Sequence, residues 1–235
     1  MNKIWRNLIN KPKLSIHVSS PGEVGYTHYG PTFAVAGTLF AVGSVVLIQN
    51  MCVEIKGLSE KSYSYMEWFA FRPTTNKMGE FSELQLTMTS KFTISPQNSF
   101  DFNIIFADTN RYSEMKPLSK AVKDTWEEAL LSASQSGQAV NHNELFQEFL
   151  KLKVIADAVE RLKSINIWKP GAYSLKTRII TESPKQVFDT QNNFTITETD
   201  AQKLAGNASL IIASLCQANK APYFYSIPEL SANHS

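Results

Sequence analysis

Residues 31–53, PTFAVAGTLFAVGSVVLIQNMCV, carry no charged side chain, and an uncharged run of about 23 residues is long enough to cross a bilayer as a helix. Whether the run is one membrane helix or two strands decides what the chain can fold into. Its internal pattern favours strands. Val35, Val42, Val45, Val46, Ile48 and Val53 give it a β-branched density that Leu-rich spans lack. Gly37, and then Gly43 with Ser44, divide it into pieces of strand length. In the second piece Val45, Leu47, Met51, Val53 and Ile55 fall on one side of a two-residue alternation, and Ile48, Asn50, Cys52 and Glu54 on the other. The flanks suit insertion, since Lys3, Arg6, Lys11 and Lys13 precede the run with no acid before Glu23. Two buried strands of a soluble protein are the expectation. A membrane-associated chain, anchored by residues 31–53 or by a basic N-terminal arm at 1–12, is the alternative.

The rest of the chain supports an ordered domain. An apolar fraction of 43% with 19% charged residues is too hydrophobic for disorder, and 235 residues can bury a substantial core. A net charge of +2 provides no overall attraction for nucleic acid. Cys52 and Cys216 are too few and too far apart for a disulfide framework, so two buried free thiols in a reducing cytoplasm are expected. MNKIWRNLINKPK has charge but no apolar core, and no cleavable signal is visible. The sequons at Asn193 and Asn207 would matter only in a secreted setting.

Three blocks follow one another. Residues 13–108 are β-rich: KLSIHVSS alternates Leu14, Ile16 and Val18 with polar neighbours, SPGEVGYTHYGP supplies turns, and strand patterns continue to SFDFNIIFAD. In YSYMEWFAFRP the alternation predicts Tyr63, Tyr65, Phe69 and Phe71 on one face and Met66, Trp68 and Ala70 on the other. Residues 117–166 change period. Leu118, Val122, Thr125, Ala129 and Ala133 recur at helical spacing after Pro117 and Ser119. Asn141 or Asn143 can cap a second helix, whose two apolar stripes run through Phe146, Leu150, Val154, Ala158 and Ile165 and through Leu145, Phe149, Leu152, Val159 and Leu162. A helical hairpin is expected. Strands return at WKPGAYSLKTRIITE and near Phe194. In TETDAQKLAGNASLIIASLCQAN, a helix capped by Thr199 and Gln202 competes with a short helix ending at Gly206-Asn207 and a buried strand beyond it. Residues 223–235 read as an irregular tail.

Strands, hairpin, strands is the order of an antiparallel sandwich rather than a doubly wound sheet. Pro170-Gly171-Ala172-Tyr173-Ser174-Leu175 resembles the G-x-Y start of the penultimate strand of immunoglobulin-like sandwiches, whose Tyr makes a corner contact. The resemblance implies a fold type. The chain is therefore expected to be mostly β (α+β), an immunoglobulin-like antiparallel sandwich over residues 13–222 with a helical hairpin at 117–166.

No reactive motif stands out. His17, His28, His142 and His234 form no metal-ligand spacing, and no metal or cofactor is expected. His28, between Tyr26 and Tyr29 in a Gly-rich turn, is the histidine best placed to face a ligand. Asp101, Asp108 and Glu114 are candidates for cation binding or acid–base work, with ordinary solvated acids as the simpler reading. The aromatics Tyr63, Tyr65, Trp68, Phe69 and Phe71 can stack on sugars or bases, or fill a core. With only Lys61 and Arg72 interleaved, nucleic acid is not an expected partner. The expected function is non-catalytic: binding another protein through the hairpin, where Phe149 or Leu152 sits on a surplus apolar face, or serving as a structural module.

Overall fold

The structure, a computed structural model, describes residues 13–59, 63–73, 86–135, 141–182, 186–217 and 222–232. The expected N-terminal arm lies outside them. Among the described residues the sheet contains β1 (Lys13–Val18), β2 (Glu23–Thr27), β3 (Gly30–Val42), β4 (Val46–Gly57), β5 (Tyr63–Phe71), β6 (Thr87–Met88), β7 (Phe92–Ile94) and β8 (Ser99–Ala107). Helices α1 (Thr109–Gln135), α2 (His142–Lys151) and α3 (Lys153–Ile165) follow. The chain then returns through β9 (Gly171–Thr181), β10 (Val187–Ile196), α4 (Glu198–Leu215), β11 (Tyr225–Ser226) and β12 (Ser231–Ala232).

All pairings are antiparallel, in the order β11-β2-β3-β8-β5-β4-β9-β10-β12, with β1 on β3, β6 on β5 and β7 on β4. The fold is mostly antiparallel β with helices, as expected. Its strands form one continuous curled sheet where the sequence reading anticipates a two-sheet sandwich. The curl brings β10 against β1. Beside that meeting, the segment read as an irregular tail contributes β11 to β2 and β12 to β10. The Gly22 N–H bonds Pro228 O at 3.0 Å, and the Leu230 N–H bonds Ser20 Oγ at 3.0 Å, which holds this segment along the gap.

Residues 31–53 are β3 and most of β4, divided at Gly43, whose φ of +93° is open to glycine at little cost. No helix among the described residues is long and apolar enough to cross a membrane. The predicted alternation in β4 fails on one side of a bulge. Val46 and Ile48 are buried, the register shifts between Ile48 and Asn50, and burial resumes at Met51, Val53 and Ile55. A second shift lies between Trp68 and Ala70 in β5. An extra residue shifts the alternation beyond it, so a strict period of two misassigns Val46 to Ile48 in β4 and separates Trp68 from Phe71, which share one aromatic cluster.

The helices gather over the sheet end formed by the β2–β3 turn, the ends of β4, β8 and β10, and the starts of β5 and β9. The first helix begins at Thr109, eight residues before Pro117, because Asp108 caps it: the Arg111 N–H bonds Asp108 Oδ1 at 3.0 Å. The predicted long second helix breaks at Leu152, which is extended at φ −62° and ψ 132°. The break accounts for the two apolar stripes. Phe146 and Phe149 of α2 pack on Trp126, with Phe149 5.0 Å from it, while Ile155, Ala158, Leu162 and Ile165 of α3 join the same core. Residues 208–215 are helix, since α4 runs unbroken through Gly206, and its cap is Thr197 rather than Thr199: Thr197 Oγ1 accepts the Asp200 N–H at 3.1 Å. Trp168 then enters beneath the helices, donating Nε1–H to Gly25 O at 2.7 Å.

Candidate functional site

The β2–β3 turn places His28 and Tyr29 at the loop tip, since Thr27 pairs with Gly30 and Gly30 takes φ +87°. Tyr29 folds back onto Phe69, 4.7 Å between ring centroids, while His28 Nδ1 lies 3.3 Å from the Tyr223 hydroxyl. This arrangement sets the imidazole at the wall of a cleft of about 580 Å³ between the turn, α1, the start of α2 and the end of α4. That volume lies within the range of small-molecule sites. Helix α1 contributes Lys123, Trp126, Glu127 and Leu130, α2 contributes His142, and α4 contributes Ser214 and Leu215, with Cys216 and Gln217 beyond its end. Lys123 and Glu127 oppose each other in sign, so the cleft favours neither a pure anion nor a pure cation.

Here a thiol and two imidazoles line one space, the residue types of a nucleophile–base constellation. The wiring of such a site is missing. The Cys216 thiol makes no hydrogen bond among the described residues, and burial pushes its pKa up to about 11 from 9.0. A nucleophilic cysteine needs the opposite shift, toward thiolate. Cys52 is a second buried free thiol, far away on β4; burial raises its pKa too, against the hydrogen bond with Tyr65, which lowers it.

The three acids singled out from the sequence do not converge. Asp108 is buried as the α1 cap and accepts from Ser64 Oγ at 2.6 Å. Asp101 lies at the far end of β8, bonded to Thr38, and Glu114 makes an i,i+3 contact with Arg111 at 3.7 Å. No group of three or more His, Cys, Asp or Glu able to hold a metal occurs among the described residues. His17 is exposed on β1, and His234 lies outside the described residues. Of the strand aromatics, Trp68 and Phe71 join Phe92 and Phe100 in a cluster, the last two stacked at 4.3 Å, while Tyr63 is exposed. Arg72 is buried on Glu23 and so is lost to any nucleic-acid surface. The sequon residue Asn207 is buried, its carboxamide bonded to Tyr26 O and to both backbone groups of Phe224.

Sequence reasoning reached His28 and missed its companions. They come from three helices distant in the chain, and nothing local marks Lys123, Glu127 or Cys216 as neighbours of residue 28. No known family model, no curated protein and no solved structure matches this chain.

Proposed function

We propose that the chain acts by binding, without turning over what it binds, and that the cleft beside His28 is where a small polar ligand is received. The observation that carries this reading is the setting of Cys216: the cleft has ligand size and mixed polarity, yet its thiol is buried, which pushes it away from the thiolate, and no hydrogen bond among the described residues engages it. The folded chain favours the protonated thiol, so the stability this reflects is intact below pH 9 and is lost as pH rises from 9 toward 11. At pH 8 the thiolate fraction should be about 100-fold smaller than in the unfolded chain, and alkylation of Cys216 by iodoacetamide correspondingly slower. Mass-spectrometric time courses on the native and urea-unfolded protein check this. Rapid native alkylation, together with a substrate turnover that Cys216→Ala abolishes, would overturn the reading.

A second reading keeps the helical layer as a contact for another protein. It is supported by Leu152 and Val154, adjacent at the α2–α3 break and 43% and 51% exposed, whereas Phe149 is only 2% exposed and belongs to the core. Leu152→Asp should leave the fold intact and abolish any self- or partner association seen by sedimentation. Phe149→Asp should unfold the helical layer, since it places a carboxylate at a 2% exposed position among the rings of Trp126 and Phe146. Sedimentation unchanged by Leu152→Asp would remove the hairpin from consideration.

An immunoglobulin-like scaffold belongs to the same proposal. The Tyr173 hydroxyl bonds both the carbonyl and the N–H of Lys169 at 2.8 Å, which supports the corner contact, while the unbroken pairing from β2 to β10 supports a curled single sheet instead. A cytoplasmic setting is likewise proposed, supported by the two buried free thiols.

A further inference from the structure

We propose that a second cleft, between the start of α1, the end of α3 and the adjoining ends of β4, β5 and β9, binds a small hydroxylated phosphate such as glycerol phosphate or a sugar phosphate. It goes beyond the site beside His28 and stands whether or not the chain proves catalytic. The cleft holds about 360 Å³, enough for roughly a dozen waters at about 30 Å³ each, or for one small organic molecule.

Its charge is one-sided. Arg111 and Lys169 line it, and among the described residues no carboxylate does. Among the described residues the ion pair of Arg111 is with Glu114, at 3.7 Å with both side chains well exposed, a pairing that water screens strongly. No ion pair among the described residues engages the exposed Lys169 ammonium. A planar guanidinium and a point-charge ammonium together suit a doubly charged phosphate better than a single carboxylate.

Beneath the cations lies a donor in need of an acceptor. Asn166 also lines the cleft and is 2% exposed. Its Oδ1 accepts the Trp168 N–H at 3.1 Å, which fixes the orientation of the carboxamide, and its buried Nδ2 has no acceptor among the described residues. Buried amide hydrogens are rarely left in that state, and a small turn of the side chain toward the cleft would let a ligand oxygen supply the missing partner. Ser64 completes the specificity. Its hydroxyl hydrogen goes to Asp108 at 2.6 Å, so toward the cleft its oxygen can only accept, as a ligand hydroxyl requires. Phosphate on the two cations and Asn166, with the hydroxylated remainder at Ser64 and Tyr63, satisfies each group in turn.

The test is calorimetric titration of the full chain at low salt with glycerol 3-phosphate and ribose 5-phosphate, beside inorganic phosphate and neutral ribose. At least one ester is expected to bind with Kd below about 1 mM, at least about tenfold tighter than either control. Lys169→Gln and Arg111→Gln should each weaken it about tenfold or more. Asn166→Asp keeps the acceptor for the Trp168 N–H and removes the donor, so it should reduce affinity as strongly, with a lowered thermal midpoint that ligand raises less than in the parent. If that variant fails to fold, Lys169→Gln, at an exposed side chain, still decides. Absence of binding by both esters, binding undiminished by Lys169→Gln, or inorganic phosphate binding as tightly as the esters would each overturn the assignment. Consumption of an ester during titration would support the site and overturn only the non-catalytic reading.

Discussion

Arg72→Met should destabilise the fold by about 3–5 kcal/mol, measured by urea unfolding, because it removes the guanidinium that makes two bonds to a carboxylate where water cannot reach. Arg72 and Glu23 meet through two bonds, Nη1 to Oε2 at 3.1 Å and Nη2 to Oε1 at 2.5 Å, with side chains only 1% and 3% exposed. The pair joins the residue just past β5 to the first residue of β2, across β3 and β8. Attraction within such a pair largely offsets the cost of desolvating both ions, so its loss is severe mainly when one partner remains charged. Combining Arg72→Met with Glu23→Gln should therefore recover at least half of the deficit. A double variant no more stable than the single one would show that packing of the guanidinium, not the stranded charge, sets the cost. Against a typical folding reserve of about 5–15 kcal/mol, the single change removes a large share.

Asn207→Ala should cost about 3–5 kcal/mol by the same measurement, since it removes the partner of one buried carbonyl and of a part-buried carbonyl and N–H. Asn207 Nδ2 donates to Tyr26 O at 2.9 Å and Phe224 O at 2.8 Å, and Oδ1 accepts the Phe224 N–H at 2.9 Å. One side chain thus ties α4 to β2 and to the approach of β11. Asn207→Asp retains the acceptor but turns a carboxylate toward two carbonyl oxygens, and should be at least as damaging as alanine. A near-neutral aspartate would show that the two donated bonds contribute little.

Local pattern revealed the strand content, the division of residues 31–53 at Gly43, the helical block and the Asn141 cap, because each depends on neighbours within a few residues. The errors have particular causes. The bulges near Gln49 and Phe69 insert single residues that no propensity marks, and they invert the faces beyond them. Leu152 is apolar and sits in an uninterrupted helical pattern, yet Phe149 and Ile155 can both reach the core only if the axis turns there. Thr199 matched a capping box, but Thr197 stands where β10 ends and takes the role first. The His28 cleft and the Arg111–Lys169 cleft were illegible for a different reason: their walls come from segments whose proximity is fixed only by the curl of the sheet and the helical layer over its end.

The pairing of β11 with β2 and of β12 with β10 has a consequence in time. Val24 waits for Ser226, about 200 residues later, so at about 5–20 residues per second a ribosome takes roughly 10–40 seconds to deliver the partner. Over that interval β2 remains a bare strand edge on a nascent sheet, open to pairing with a neighbouring copy, while β10 waits only about 38 residues, from Asn193 to Ser231, or roughly 2–8 seconds. Premature termination before Tyr223 would make that exposure permanent, and the product would be a candidate for aggregation and clearance even though most of its sheet and all four described helices had already been made.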